Sequence, residues 1–264
     1  MRFSSISLTL VSTLWLSSSL AETCKHRIYF LPQTHASEYA DPDRMDQQQM
    51  DKIVSSQLKI ANFIDRFPGI PVFTEQAAEQ DYTVSSFSAE QIGKIQKYMK
   101  SIFRGPLPET ITALNPVQKQ KLYDNGGEFI QFMLGRLDTL HRVVRDKQKL
   151  DEIFNPINDW VATKPPRDIP YPSHIGGLVY GEREKEALIQ VNKYLEENPR
   201  QKDVILIFGS NHSFQFYPKQ FPPQCVYIPP EFRADWGGRF REGPNGFPNN
   251  TEIHSSKGPS SAVR

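Results

Sequence analysis

The segment 203–214, DVILIFGSNHSF, constrains the fold more than any other. Its apolar run 204–208 shows no alternation of polar and apolar positions, which marks a strand covered on both faces; Gly209 then breaks the run ahead of His212. Strands of that kind belong to parallel sheets flanked by helices, where ligands and reactive groups gather beyond the carboxyl ends. An earlier segment repeats the arrangement: residues 27–31 (RIYFL) run apolar, Pro32-Gln33-Thr34 turns, and His35 follows. The expected fold class is α/β, with a mostly parallel central sheet flanked by helices and a helical insertion or cap.

The chain between these two strands supports that reading. Residues 45–66 place Met50, Ile53, Val54, Leu58, Ala61 and Ile64 at helical spacing, and Phe67-Pro68-Gly69 stops the helix. A short strand over 70–74 (IPVFT) then ends at Glu75, which completes a βαβ unit and puts Glu75 at the same sheet edge as His35. From 88 to 162 the pattern is helical. Ser88 with Gln91 makes a capping box, a second helix starts near Asn115-Pro116, and a third spans 127–145 with Phe129, Phe132, Met133, Leu137 and Leu140 inward. This stretch is expected to form the insertion. A Pro-rich connector returns the chain to a helix over 183–198, whose Ala187, Leu188, Val191, Tyr194 and Leu195 share a face. The 264 residues suit one α/β domain over 22–242, and the small, polar, Pro/Gly-rich end at 243–264 reads as a disordered tail.

Residues 1–21 carry Arg2, an apolar stretch at 6–16 and the small-residue ending Ser19-Leu20-Ala21, the pattern of a cleaved signal peptide. The protein is therefore expected to be secreted or periplasmic, with no transmembrane segment after cleavage. Removing Arg2 from 31 basic residues leaves 30 against 30 acidic ones, so electrostatics give no case for nucleic acid. Of the two cysteines, Cys24 precedes the first strand and Cys225 lies in a short apolar run. In an oxidising compartment they are a disulfide candidate, the alternative being two separate thiols.

Four polar residues stand where strands end or helices begin: His35, Glu75, Arg183 and His212. Two imidazoles and a carboxylate suffice for a catalytic divalent metal (Mn, Co or Zn), and Arg183 would hold a developing oxyanion. Without metal, one histidine acts as general base with Glu75 orienting it; both versions give hydrolysis of a peptide or small ester. Taken singly, each residue is equally compatible with an ordinary loop, strand-end or first-turn position. Glu38 and Glu184 are secondary candidates for a carboxylate base or a partner that orients a ligand. His141, in the helical stretch, and His174, in its return connector, read as structural. No His-Glu-x-x-His, Cys-x-x-Cys, Walker or Gly-x-Ser-x-Gly pattern occurs.

With these residues in view, the chain resembles the Tiki/TraB, ChaN-like and erythromycin-esterase-like superfamily. Gly209-Ser210-Asn211-His212 matches a Gly-x-x-His motif, Glu75 in VFTE matches its glutamate, and Arg183 in GEREKEAL matches its later arginine. Gln57 fits a polar position on the first helix. The first motif departs from the pattern, since Pro32-Gln33-Thr34-His35 keeps the histidine and replaces glycine with proline. Resemblance to the Tiki branch implies metal-dependent peptide hydrolysis, and to the esterase branch histidine-based ester hydrolysis. The ChaN branch implies haem or iron binding without turnover, for which Tyr29, Tyr39 or Tyr171 would supply a phenolate. A secreted effector with a non-catalytic site is the remaining alternative.

Overall fold

A computed structural model of the chain describes residues 26–34, 46–77, 80–144, 146–163, 172–210, 212, 214 and 224–234. In chain order these form β1 (His26–Gln33), α1 (Gln47–Arg66), β2 (Val72–Ala77), β3 (Tyr82–Thr83), α2 (Ala89–Ile102), α3 (Pro116–Asn125), α4 (Gly127–Met133) and β4 (Thr139–Val144). Then follow α5 (Lys147–Ala162), α6 (Ser173–Gly177), a π-helical stretch Leu178–Glu182, α7 (Arg183–Glu197), β5 (Asp203–Gly209) and β6 (Gln224–Tyr227). The expected signal peptide, the tail and Cys24 lie outside the described residues.

The six strands form one sheet in the order β3-β4-β2-β5-β1-β6. All pairings are parallel except that of β3 with β4. The fold class is therefore α/β with a mostly parallel sheet, as the uninterrupted apolar runs require. Val204 through Phe208 are fully buried, because β5 has a strand on each side and helices over both faces. The βαβ reading of β1, α1 and β2 holds in direction, with β5 inserted between the two strands. β6 runs beside β1 and sets Cys225 opposite Arg27.

The helix starts are legible residue by residue. Asp46, Ser88 and Asn115 each accept the N3 backbone N–H, and Gln49, Gln91 and Gln118 bond back to the cap. One expected helix is corrected. The third does not run to 145: α4 ends at Met133 and the chain enters β4. Gly135 adopts φ +74°, its N–H bonds Phe132 and the Arg136 N–H bonds Gln131, which together make a Schellman stop. Leu140 and Val143 then bury on the sheet, although their spacing from Phe132 also suited a helix. As a result the 88–162 stretch contributes a strand to the sheet, and His141 sits on β4 instead of in a helix. His174 sits in α6.

Alternation along the strands separates the two layers. The Phe73 ring on β2 lies 5.5 Å from Tyr194 of α7, whereas Arg142, the partner of Thr74, lies 5.7 Å over Phe129 of α4. The α1 and α4 helices meet very closely: a Cβ at Gly127 would stand 2.1 Å from the Gln57 carbonyl oxygen and 2.9 Å from the Ala61 nitrogen. Gly127→Ala therefore forces the helices apart, and urea denaturation is expected to report a loss of about 2 kcal/mol. An unchanged midpoint would contradict this packing.

Candidate active site

The carboxyl edge of the sheet is built by Gly209. Its N–H donates to Glu75 Oε2 at 2.7 Å, and its carbonyl accepts the His212 N–H at 3.0 Å, closing a turn. The Ser210 N–H reaches the Gln33 carbonyl at 2.8 Å and ties the same turn to β1. A single glycine thus clamps the glutamate of β2 and swings the histidine back over the sheet. Glu75 lies two residues beyond Phe73, so its side chain leaves β2 toward the α7 layer.

The α7 helix meets this edge with two consecutive residues. Arg183 donates to Glu75 Oε1 at 2.6 Å, and Glu184 Oε1 lies 3.0 Å from His212 Nδ1. The π-helical stretch just before them widens the helix by a residue and sets the register in which both side chains meet the strand ends. His212 Nε2 faces Glu75 Oε1 at 3.3 Å. The result is a chain Glu184, His212, Glu75, Arg183 in which His212 is 4% exposed and Glu184 2%. Phe208 and Tyr180 border the imidazole, with ring centroids at 5.0 and 5.4 Å, and Phe154 lies 5.0 Å under the Arg183 guanidinium. Among the described residues, Arg183 Nε is buried without a hydrogen-bond partner.

Burial is the largest influence on His212 and pushes its pKa down. The hydrogen bonds to Glu184 and Glu75, with the two carboxylate charges, outweigh it and hold the pKa above its ordinary 6.5. A protonated His212 also balances the charge of the group, two carboxylates against an imidazolium and a guanidinium. Two buried carboxylates without that cation would repel one another.

The structure therefore brings together three of the four residues expected from the sequence, and Glu184, a secondary candidate, makes the closest contact to the imidazole. His35 and Glu38 lie outside the described residues. The residue before His35 is anchored: the Thr34 N–H donates to Ser56 Oγ at 2.9 Å and its carbonyl accepts from Gln57 Nε2 at 3.1 Å. Pro32 and Gln33, expected to form the turn, instead continue β1, and the register sets Gln33 opposite Gly209 and Pro32 opposite Phe208, so Pro32-x-x-His and Gly209-x-x-His start one residue out of step. A second polar group lies on the other face of the edge, where Gln57 Oε1 accepts from Gln33 at 2.9 Å and from the Gly127 N–H at 2.8 Å, with Glu128 Oε2 3.4 Å from Gln33. Sequence reasoning missed Glu128. Its signal is a charged residue inside the apolar face of a short helix.

Of the expected metal ligands, Glu75 and His212 face one another, and among the described residues no group of three His, Cys, Asp or Glu side chains is arranged to hold a metal ion. Glu75 is also paired with Arg183, and His35, the third expected ligand, lies outside the described residues. No helix among the described residues is long and apolar enough to cross a membrane. No protein-family model, curated protein or solved structure matches the chain.

The raised pKa has a consequence for stability. A group whose folded pKa exceeds its unfolded value stabilises fully below the unfolded value, here about 6.5, and loses that contribution as pH rises through the folded one. Urea midpoints are expected to fall across that interval. Glu184→Gln, which removes one carboxylate from the imidazole, moves the fall to lower pH. A midpoint that is flat in both proteins would refute the protonated-histidine account.

Proposed function

We propose that the chain is an exported hydrolase in which His212 transfers protons, Glu184 orients and charges it, and Arg183, held by Glu75, stabilises charge on a peptide or small-ester substrate. The observation that supports this reading is the buried imidazole held through Nδ1 by one carboxylate while Nε2 turns toward the point where Glu75, Arg183 and the Gly209 N–H converge. In the neutral form, Nε2 takes a proton from a water molecule as that water's oxygen attacks the substrate carbonyl carbon. Arg183 offers a guanidinium for the charge developing on the carbonyl oxygen, and Glu184 stabilises the imidazolium. The same proton then passes from Nε2 to the leaving oxygen or nitrogen as its bond to carbon breaks.

The test is hydrolysis of p-nitrophenyl acetate and of a mixed peptide pool by the mature protein, with His212→Gln and Glu184→Gln beside it. The expected result is a loss of kcat of about a hundredfold or more in His212→Gln. In the wild type the rate rises with pH through the raised His212 pKa, and in Glu184→Gln that rise moves to lower pH. A His212→Gln protein, folded by circular dichroism, that keeps the wild-type rate would overturn the reading. Uptake of Mn, Co or Zn by wild type and not by His212→Gln would instead favour the metal version, with His35 as third ligand.

Export carries its own proposal, a Cys24 to Cys225 disulfide formed in an oxidising compartment, in which Cys225 stands opposite Arg27, three residues after Cys24. Thiol titration of the unfolded, unreduced protein is expected to find no free thiol, and two thiols would remove the bridge.

A further inference from the structure

Toward the other end of α7 from Arg183 and Glu184, a cavity of about 450 Å³ opens between that helix and β4, with Phe73, His141 and Tyr194 among its lining residues. His141 is stacked on Phe73 at 4.7 Å and 24°, and Tyr194 packs against both rings, at 4.8 Å from His141 and 5.5 Å from Phe73. The imidazole does not float there. Its Nδ1 lies 3.0 Å from Asp81 Oδ2, while Asp81 Oδ1 accepts the Arg142 backbone N–H at 2.9 Å. Asp81 is not part of the cavity wall, and the ring's other nitrogen, Nε2, has no hydrogen-bond partner among the described residues. An aspartate on Nδ1 fixes the proton there and leaves Nε2 as an acceptor.

The charges on the rim favour one kind of guest. Among the described residues, Asp146 and Glu197 supply two carboxylates and Lys193 one ammonium. Arg142 also borders the cavity, but its guanidinium lies 4.2 Å over Tyr82 on the opposite face of the sheet. An acceptor nitrogen, an electron-rich aromatic floor and a surplus of carboxylates together suit a cation with N–H donors. We infer that this cavity is a second binding site, distinct from the His212 site, that takes an organic ammonium or guanidinium group: a free amine or the lysine or arginine side chain of a peptide. The cation rests against the Tyr194 ring, and an N–H of the ligand donates to His141 Nε2.

The probe is benzylammonium, titrated into the mature protein while the His141 ring Cε1–H signal is followed by NMR, with benzyl alcohol and benzoate as uncharged and anionic counterparts. Saturable shifts with benzylammonium, and none with benzoate, are expected. Glu197 and Lys193 are exposed, so their substitution leaves the core intact. Glu197→Gln is expected to weaken binding about threefold and Lys193→Gln to tighten it by a similar factor, the size of a half-exposed charge contact. Tighter binding by Nα-acetyl-lysine amide than by benzylammonium would assign the site to peptide side chains, and the reverse to free amines. Benzoate binding as tightly as benzylammonium, no saturable shift with either, or weakening in Lys193→Gln would overturn the proposal.

Discussion

One carboxylate organises the carboxyl edge of the sheet. Glu75 leaves β2 beyond the last Thr74 to Ile207 register pair, and its two oxygens take up the Gly209 N–H, the Arg183 guanidinium and the edge of His212. It thereby joins β2 to β5 past the point where the ladder between them ends, and it fastens α7 to both. A buried carboxylate left unpaired would be expensive by several kcal/mol, so its partners are not optional neighbours. The positions of the turn after β5, of the first residues of α7 and of the imidazole all follow from satisfying it.

The same edge carries two polar systems because successive residues of a strand face opposite layers. Thr74 points toward α4 and meets Arg142, whose guanidinium lies over Tyr82 and Phe129; Glu75 points toward α7. On the first side Gln33, Gln57 and Glu128 hold β1, α1 and α4 together around the close Gly127 approach. On the second side, charge dominates. The amide group suits a place where three elements must be held at short range, since an amide bonds in several directions without the desolvation of an ion. The charged group instead joins two strand ends to a helix start through ions that partner one another.

Much of this was legible in the sequence. The uninterrupted run 204–208 marked a parallel sheet, and Glu75, Arg183 and His212 were singled out because strand ends and a helix start would bring them to one edge. The capping boxes at Asp46, Ser88 and Asn115 depend on contacts three residues apart and are written locally. What was not legible depends on contacts far along the chain. β4 was hidden because Leu137 and Leu140 continue the helical spacing of Phe129 and Phe132, and only the left-handed Gly135 separates helix from strand. The place of β5 between β1 and β2 is a tertiary choice with no local signal. Glu184 ranked below Glu75 because adjacent helix residues point about 100° apart, and the π-helical stretch that lets both Arg183 and Glu184 contribute leaves no pattern in an apolar periodicity.

The distances within the charged group also show which of its contacts is the loosest. Arg183 to Glu75 is 2.6 Å, Gly209 to Glu75 2.7 Å and His212 to Glu184 3.0 Å, whereas His212 Nε2 to Glu75 is 3.3 Å. If that longest contact opens, Glu75 keeps a guanidinium and a backbone N–H, and His212 keeps the carboxylate that fixes its tautomer. Opening the Gly209 contact instead releases the turn that carries the histidine, and opening the Arg183 contact takes away the acceptor of a guanidinium whose Nε is already unpartnered among the described residues. The loosest contact of the arrangement therefore lies at His212 Nε2. Insertion of a water molecule between Nε2 and Glu75 leaves each of these ions with a partner, so the network can open there without coming apart.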